Sequence, residues 1–274
     1  MMLAKRVLIT GAAGGLGHAL AGSLAASGYH LVLTDRSGTL ETASFPAGTE
    51  FIDADLCHAE DIGRLATRLR DQEKPIDLLI NNAGIGIPGS VTDVSADLLA
   101  RHVMINLTAP MQLSQAAAQA MTKRRDGQIF SIVSLAGIFP LKDSAAYTAS
   151  KFGLRGFMAA LSLELAPYGV RVGGLYPSAI DTDMLRAEMA HPDGSPLNFA
   201  GSAEPLSTAA TAEAVMRALT RGTLETQLPR SEGLMAGLVM SFPTLLRPVF
   251  SYLERQGNKK KKTYLASLDG GKAN

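Results

Sequence analysis

Short aliphatic runs alternate with longer amphipathic stretches along this chain, and the two periods predict its elements. Runs of about four to eight β-branched and aliphatic residues, bounded by glycine or polar residues, read as buried strands. Arg6-Val7-Leu8-Ile9-Thr10 is the first such run, and it ends at Gly11. The runs at 30–35, 50–54, 76–80, 127–134 and 170–176 supply five more strands, and 223–228 reads as a seventh. Between them, an Ala-rich segment to Gly28, a charged amphipathic stretch over 59–72 and a long pattern over 95–122 read as helices. Two further helices open at Ser144 and span 208–221, while 183–205 reads as a loop carrying one short helix. Strands alternating with helices at this spacing pair in parallel, with helices on both faces. The expected fold is therefore α/β: a doubly wound parallel sheet of six or seven strands in three layers, α/β/α.

Composition narrows the class. A chain of 274 residues suits one large α/β domain, here expected over residues 1–256, with 257–274 as a flexible basic tail. A formal net charge of +1 gives no global positive field for a nucleic-acid partner. The single cysteine, Cys57, excludes an internal disulfide and any cysteine-based metal cluster, so a plain thiol in a reducing cytoplasm is expected and no metal site. The apolar run at the N-terminus is too brief for a signal peptide, and no window approaches the ~20 apolar residues of a membrane span.

Chemistry gathers where the strands end. Ligands of such sheets bind beyond the carboxyl ends of the strands. Gly11, Asp35, Asp55, Asn81, Ser134 and Pro177 all end or follow a proposed strand. Gly11-Ala12-Ala13-Gly14-Gly15-Leu16-Gly17 lies between a strand and a helix start. There, bare backbone can approach a pyrophosphate held by helix N-terminal amides; the alternative is a tight turn without a ligand. Asp35 ends the second strand about twenty residues on, where a ribose hydroxyl is held in dinucleotide folds. Its carboxylate repels a 2′-phosphate, whereas the neighbouring Arg36 would attract one, and NAD is favoured over NADP. Asn81-Asn82-Ala83-Gly84 suits close approach of backbone to a ligand. Tyr147 and Lys151 stand four residues apart on one helix face, where a cation favours the phenolate. Alone, that pair reads more readily as a half-buried tyrosine beside a surface lysine, and Asn106 as a satisfied core amide.

Taken together these residues resemble the short-chain dehydrogenase/reductase family, whose Rossmann-like fold agrees with the expected sheet. Thr10-Gly11-Ala12-Ala13-Gly14-Gly15-Leu16-Gly17 matches its Thr-Gly-x-x-x-Gly-x-Gly turn, and Asn81-Asn82-Ala83-Gly84 its Asn-Asn-Ala-Gly segment. Asn106, Ser134, Tyr147 and Lys151 fall at its catalytic tetrad, and the match spans roughly residues 5 to 185. The resemblance implies Tyr147 as general acid/base, Ser134 holding the substrate oxygen, and Lys151 lowering the phenol pKa while binding the nicotinamide ribose. Asn106 would hold a water that links Lys151 to solvent. Implied cofactor contacts are Gly11, Gly14, Gly15, Leu16, Gly17, Asp35, Arg36, Asp55, Leu56, Asn82, Ala83, Gly84, Tyr147, Lys151, Pro177 and Thr182. One departure is Ser178, where the family usually has glycine after the proline.

The last third is less patterned. In the family the stretch after the sixth strand covers the substrate, so Met184, Leu185 and Met189 are expected wall residues; a mobile surface loop is the alternative. His191, beside Pro192, reads as solvated. Residues 233–256 are strongly apolar, broken by Pro243 and Pro248, and followed by Lys259-Lys260-Lys261-Lys262. They are expected to wall an apolar pocket or form a subunit contact, with peripheral membrane contact through 234–262 as the competing reading. The implied function is hydride transfer between NAD(H) and an alcohol or carbonyl, on a lipophilic small molecule, in a cytoplasmic homodimer or homotetramer. An NADPH-dependent carbonyl reductase and a non-enzymatic dinucleotide-sensing interaction protein are the alternatives.

Overall fold

A computed structural model describes residues 5–40, 45–191, 193–199, 204–242, 244 and 246–270. Seven parallel strands form one sheet: β1 (Arg6–Thr10), β2 (His30–Asp35), β3 (Glu50–Asp53), β4 (Leu78–Asn81), β5 (Gln128–Ile132), β6 (Arg171–Pro177) and β7 (Glu225–Leu228). Their spatial order is β3-β2-β1-β4-β5-β6-β7. The order reverses between β1 and β4, which pair Val7 with Leu78 and Ile9 with Ile80. At that reversal the connections leave in opposite directions, opening a crevice at the strands' C-terminal ends.

The aliphatic runs are continuous because the central strands are covered on both faces. Alternate residues point to opposite sides. Leu8, Val32, Leu79 and Ile129 pack toward α2 (Ala59–Arg70), α4 (Ala109–Arg124) and α5 (Ala145–Leu165). Val7, Ile9, Leu33, Leu78, Ile80 and Phe130 pack toward α1 (Gly15–Ala26) and α7 (Thr208–Arg221). The long pattern over 95–122 is not one uniform helix. It is α3 (Ala96–Val103), a π-helical turn (Met104–Thr108) and α4 in one continuous run, and Asn106 sits in the π turn.

The C-terminal part departs furthest from expectation. After β6 come α6 (Asp183–Ala190), a 3₁₀ turn (Pro196–Phe199), α7, β7, α8 (Arg230–Met240) and α9 (Leu246–Gly270). The stretch expected as a flexible tail from 257 onward is helical as far as Gly270. Its lysines, leucines and alanines are good helix formers, and the helix is anchored by packing. Gly257 meets the Pro196 backbone so closely that a Cβ there would collide with the Pro196 carbonyl oxygen. Tyr264 and Leu265 pack on the buried Leu185 and Met189 of α6. Pro248 falls in the first turn of α9, where its missing N–H costs nothing; Pro243 lies outside the described residues. Among the described residues no helix is long and apolar enough to cross a membrane.

Candidate active site

The crevice is a cleft of about 660 Å³ that runs from Asp35 and Asp55 at one end to Tyr147 and α9 at the other. Its first half is made of backbone. Gly11 has φ +66°, and a Cβ there would lie 2.7 Å from the Ala83 Cα. A Cβ on Gly17 would collide with the Gly11 carbonyl oxygen and come within 2.8 Å of the Ala12 Cα. The Thr10 hydroxyl accepts the N–H groups of Asn82 and Ala83, both at 3.0 Å. The Asn82 amide donates back to the carbonyls of Thr10 and Gly11 at 3.0 and 2.9 Å. These bonds lock the ends of β1 and β4 together across the crevice. Gly14 caps α1 without any side chain, so no side-chain oxygen accepts from the first-turn N–H groups, and they face the cleft. At the far end both Asp35 oxygens are fixed, by the Ala13 N–H at 2.9 Å and the Arg36 N–H at 2.8 Å. Every residue expected to touch a cofactor lines this one cleft, Leu56, Pro177 and Thr182 included.

The chemical centre lies where β5 and α5 face each other. Tyr147 and Lys151 share one face of α5, with the Lys151 ammonium 5.7 Å from the phenol ring centre. Lys151 is buried and donates to the Ile132 carbonyl at 3.1 Å. Ser134, just past β5, lines the cleft beside Tyr147 and accepts the Ala136 N–H at 3.0 Å. Asn106 stands behind this wall, 1% exposed. Its amide carbonyl accepts the Ile85 N–H at 2.9 Å, and its amide nitrogen donates to the Ile85 carbonyl at 2.8 Å and the Ser150 hydroxyl at 3.3 Å. The added residue of the π turn aims this amide inward, a common use of such turns. A Cβ on Gly84 would sit 3.2 Å from the Asn106 carbonyl oxygen and 3.7 Å from the Lys151 nitrogen, so the three share one corner.

The second half of the cleft is walled by side chains. Met184 reaches the tyrosine: a Cβ on Gly86 would lie 3.6 Å from both the Met184 sulfur and Cε2 of the Tyr147 ring. Leu185 also lines the cleft, but Met189 does not. The expectation for Met189 is corrected by helix geometry: it is buried with Leu185 against Tyr264 and Leu265, on the face of α6 turned to α9. Met235, Ala236 and Val239 of α8 and Val249 and Leu253 of α9 complete the wall. Phe250 stacks on Phe139 with ring centres 5.8 Å apart and planes at 15°, fixing α9 over the opening. Sequence reasoning passed over Glu188, Asn198 and Phe139. Glu188 carried a readable signal, since it lies one helical turn from Met184 on the same helix.

A family model described as short chain dehydrogenase matches residues 5–193. The chain belongs to the short-chain dehydrogenase/reductase family. A 3-oxoacyl-[acyl-carrier-protein] reductase, MabA, from Mycobacterium avium is 31% identical over 185 residues, covering 68% of this chain and 71% of its relative. The solved short-chain dehydrogenase from Sphingobium yanoikuyae, in complex with NADPH, superposes with a TM-score of 0.73 at 28% identity, covering 87% and 96% of the two chains. A bulky-bulky ketone specific alcohol dehydrogenase from Comamonas testosteroni gives 0.71 at 29% identity, covering 84% and 87%.

In this dehydrogenase, burial governs the protons. It pushes the Tyr147 phenol up to about 12; hydrogen bonding with Ser134 pulls the other way, and the Glu188 carboxylate adds to the rise. The lowering expected from Lys151 does not set the phenol, whose rise comes first from burial. Burial also pushes the Lys151 ammonium down, to about 8. The unusual Ser178 is accommodated without left-handed backbone, its N–H donating to the Leu228 carbonyl at 2.8 Å. Ser178 lines the cleft, and its buried hydroxyl has no hydrogen-bond partner among the described residues.

Proposed function

We propose that the protein is an NAD-dependent alcohol dehydrogenase or ketone reductase acting on a substrate with an apolar body. The observation that carries this reading is that Tyr147, Ser134 and Lys151 line the same cleft as the glycine cradle. The cradle fits a dinucleotide: Gly11 and Gly17 leave room that any Cβ would fill, and the first-turn N–H groups of α1 await an anion. The Ser178 hydroxyl would gain a partner from the same ligand. The bound nicotinamide would supply or accept the hydride.

The chain's own residues handle position and protons. Ser134 would hold the substrate oxygen, and Tyr147 would donate its proton to a carbonyl as hydride arrives. A phenol held near 12 stays protonated at neutral pH, which suits it to act as the acid in reduction. Lys151 would return a proton to the phenol and bind the nicotinamide ribose, with Asn106 holding its corner. The anchored Asp35 carboxylate favours the ribose hydroxyls of NAD. NADPH is the second reading, favoured by Arg36 alongside and by the NADPH in the Sphingobium relative. Isothermal titration with NADH and NADPH tests both. NADH is expected to bind more tightly, and Asp35→Ala to erase most of that difference; tighter NADPH binding by the wild type would reverse the assignment.

A further inference from the structure

Among the described residues that line the cleft on its substrate side, Glu188 takes no step in the proposed proton transfer; Asp183 lies at the mouth beside Thr182, and Glu232 is on α8. Glu188 follows Met184 by one turn of α6, so it stands about 5 Å farther along the wall from the point where Met184 meets the Tyr147 ring. It is held from three sides. The Asn198 amide donates to its Oε1 at 2.7 Å, and the Ser195 N–H donates as well. Gly194 is pressed so tightly on the end of α6 that a Cβ would collide with the Glu188 backbone carbonyl. The Lys261 ammonium of α9 clamps this turn by donating to the Gly194 carbonyl at 2.6 Å. Burial raises the Glu188 pKa above the usual carboxylate value, and the Asn198 and Ser195 donors and the Lys261 charge each offset part of that rise.

A carboxylate has about four acceptor positions. Two are taken by Asn198 and Ser195, and Glu188 lines the cleft together with Met184, Leu185, Leu197 and Leu253. Glu188 is only half-buried, so its remaining acceptors stay open to a donor, and a substrate that covered them without supplying one would leave an acceptor unpaired at a cost. Resting on the dehydrogenase reading, we propose that Glu188 is a specificity-determining residue that accepts a hydrogen bond from a second polar group of the substrate. The substrate class is thereby a hydroxy-ketone or diol, or an amino-alcohol, with an otherwise apolar frame. Substrates with a carboxylate at that position are excluded by like charge.

The test uses the full chain and three matched sets of aliphatic ketones: plain, bearing a hydroxyl at successive carbons, and bearing a carboxylate at the same carbons. The wild type is expected to favour the best hydroxy-ketone over its plain counterpart by at least about tenfold in kcat/KM, and to reject the carboxylates. Glu188→Leu is expected to lose that preference while turning over the plain ketone within about threefold of wild type. Glu188→Gln, which keeps an acceptor, retains the hydroxyl preference and relaxes the exclusion of carboxylates. Titration of the corresponding alcohols into NADH-loaded protein reads the same preferences without turnover. A Glu188→Leu variant that falls by one factor on all three sets, or keeps the hydroxyl preference, overturns the proposal and leaves Glu188 as a clamp for 193–199. Wild type that turns over and binds none of the ketones overturns it too. Failure of NADH to bind the wild type is a separate result, which overturns the dehydrogenase reading itself.

Discussion

The two halves of the cleft are built on opposite principles. The half between Asp35 and Thr182 is shaped by the absence of side chains: Gly11 and Gly17 let β1, α1 and the Ala83 backbone approach to distances that exclude even a methyl group. The half beneath α8 and α9 is shaped by large side chains on helices joined by loops, with Met184, Leu253 and Met235 setting its walls. The first has its backbone bonded directly to the rigid sheet, through Thr10 and Asn82. The second rests on a few local anchors, such as the Phe139–Phe250 stack and the packing of Gly257 on Pro196. Backbone-built sites tolerate almost no substitution, whereas side-chain walls can be exchanged at modest cost. One protein can thus keep a fixed cofactor site and vary its substrate.

That contrast can be broken at the centre, where the halves meet. Tyr147→Phe is expected to lower kcat by about 10²–10⁴-fold with NADH affinity nearly unchanged, since only the proton is lost. Initial rates and a parallel NADH titration check it, and retained turnover would remove the phenol from the reaction. On the cofactor side, Gly17→Ala is expected to cost about 1–3 kcal/mol of strain. Read as NADH affinity, that is a weakening of roughly 5- to 150-fold, accompanied by a lower Tm. On the substrate side, Leu253→Ala removes part of a half-buried leucine and is expected to cost about 1 kcal/mol. It should raise the substrate KM by roughly fivefold and leave NADH binding untouched. Equal effects of the two variants on NADH would show that the halves are one mechanical unit.

The smallest effect is on pH. Lys151 is cationic below its pKa, which burial lowers to about 8. If its ammonium resupplies the phenol, the rate of carbonyl reduction should decline as pH rises through about 8. Lys151→Arg stays charged and should remove that limb from the kcat profile, at a reduced plateau. A wild-type profile flat across this range would show that the proton reaches Tyr147 by another route.

The strand runs, the edge on which they end, the glycine turn, Asp35 and the Tyr147–Lys151 spacing were all legible in the sequence. Each is a local pattern whose meaning follows from backbone geometry within about one or two turns of chain. The strands at 30–35 and the helix at 208–221 even agree in their bounds. The π turn that aims Asn106 was not legible, because one extra residue in a helix leaves the apolar period almost intact. The apolar run over 233–256 was legible as a pocket wall, and Val249 and Leu253 do line the cleft. The helical continuation of α9 beyond it was not, because Gly257 and Tyr264 have meaning only against the 3₁₀ turn and α6. For Glu188, the spacing from Met184 gave only the helix face; its place on the cleft wall required Asn198 and Lys261 to converge on α6 from distant parts of the chain. Backbone conformation is dictated by near neighbours, so the cofactor half is written in order. A wall assembled from separate helices exists only once long-range packing has chosen which of their faces meet.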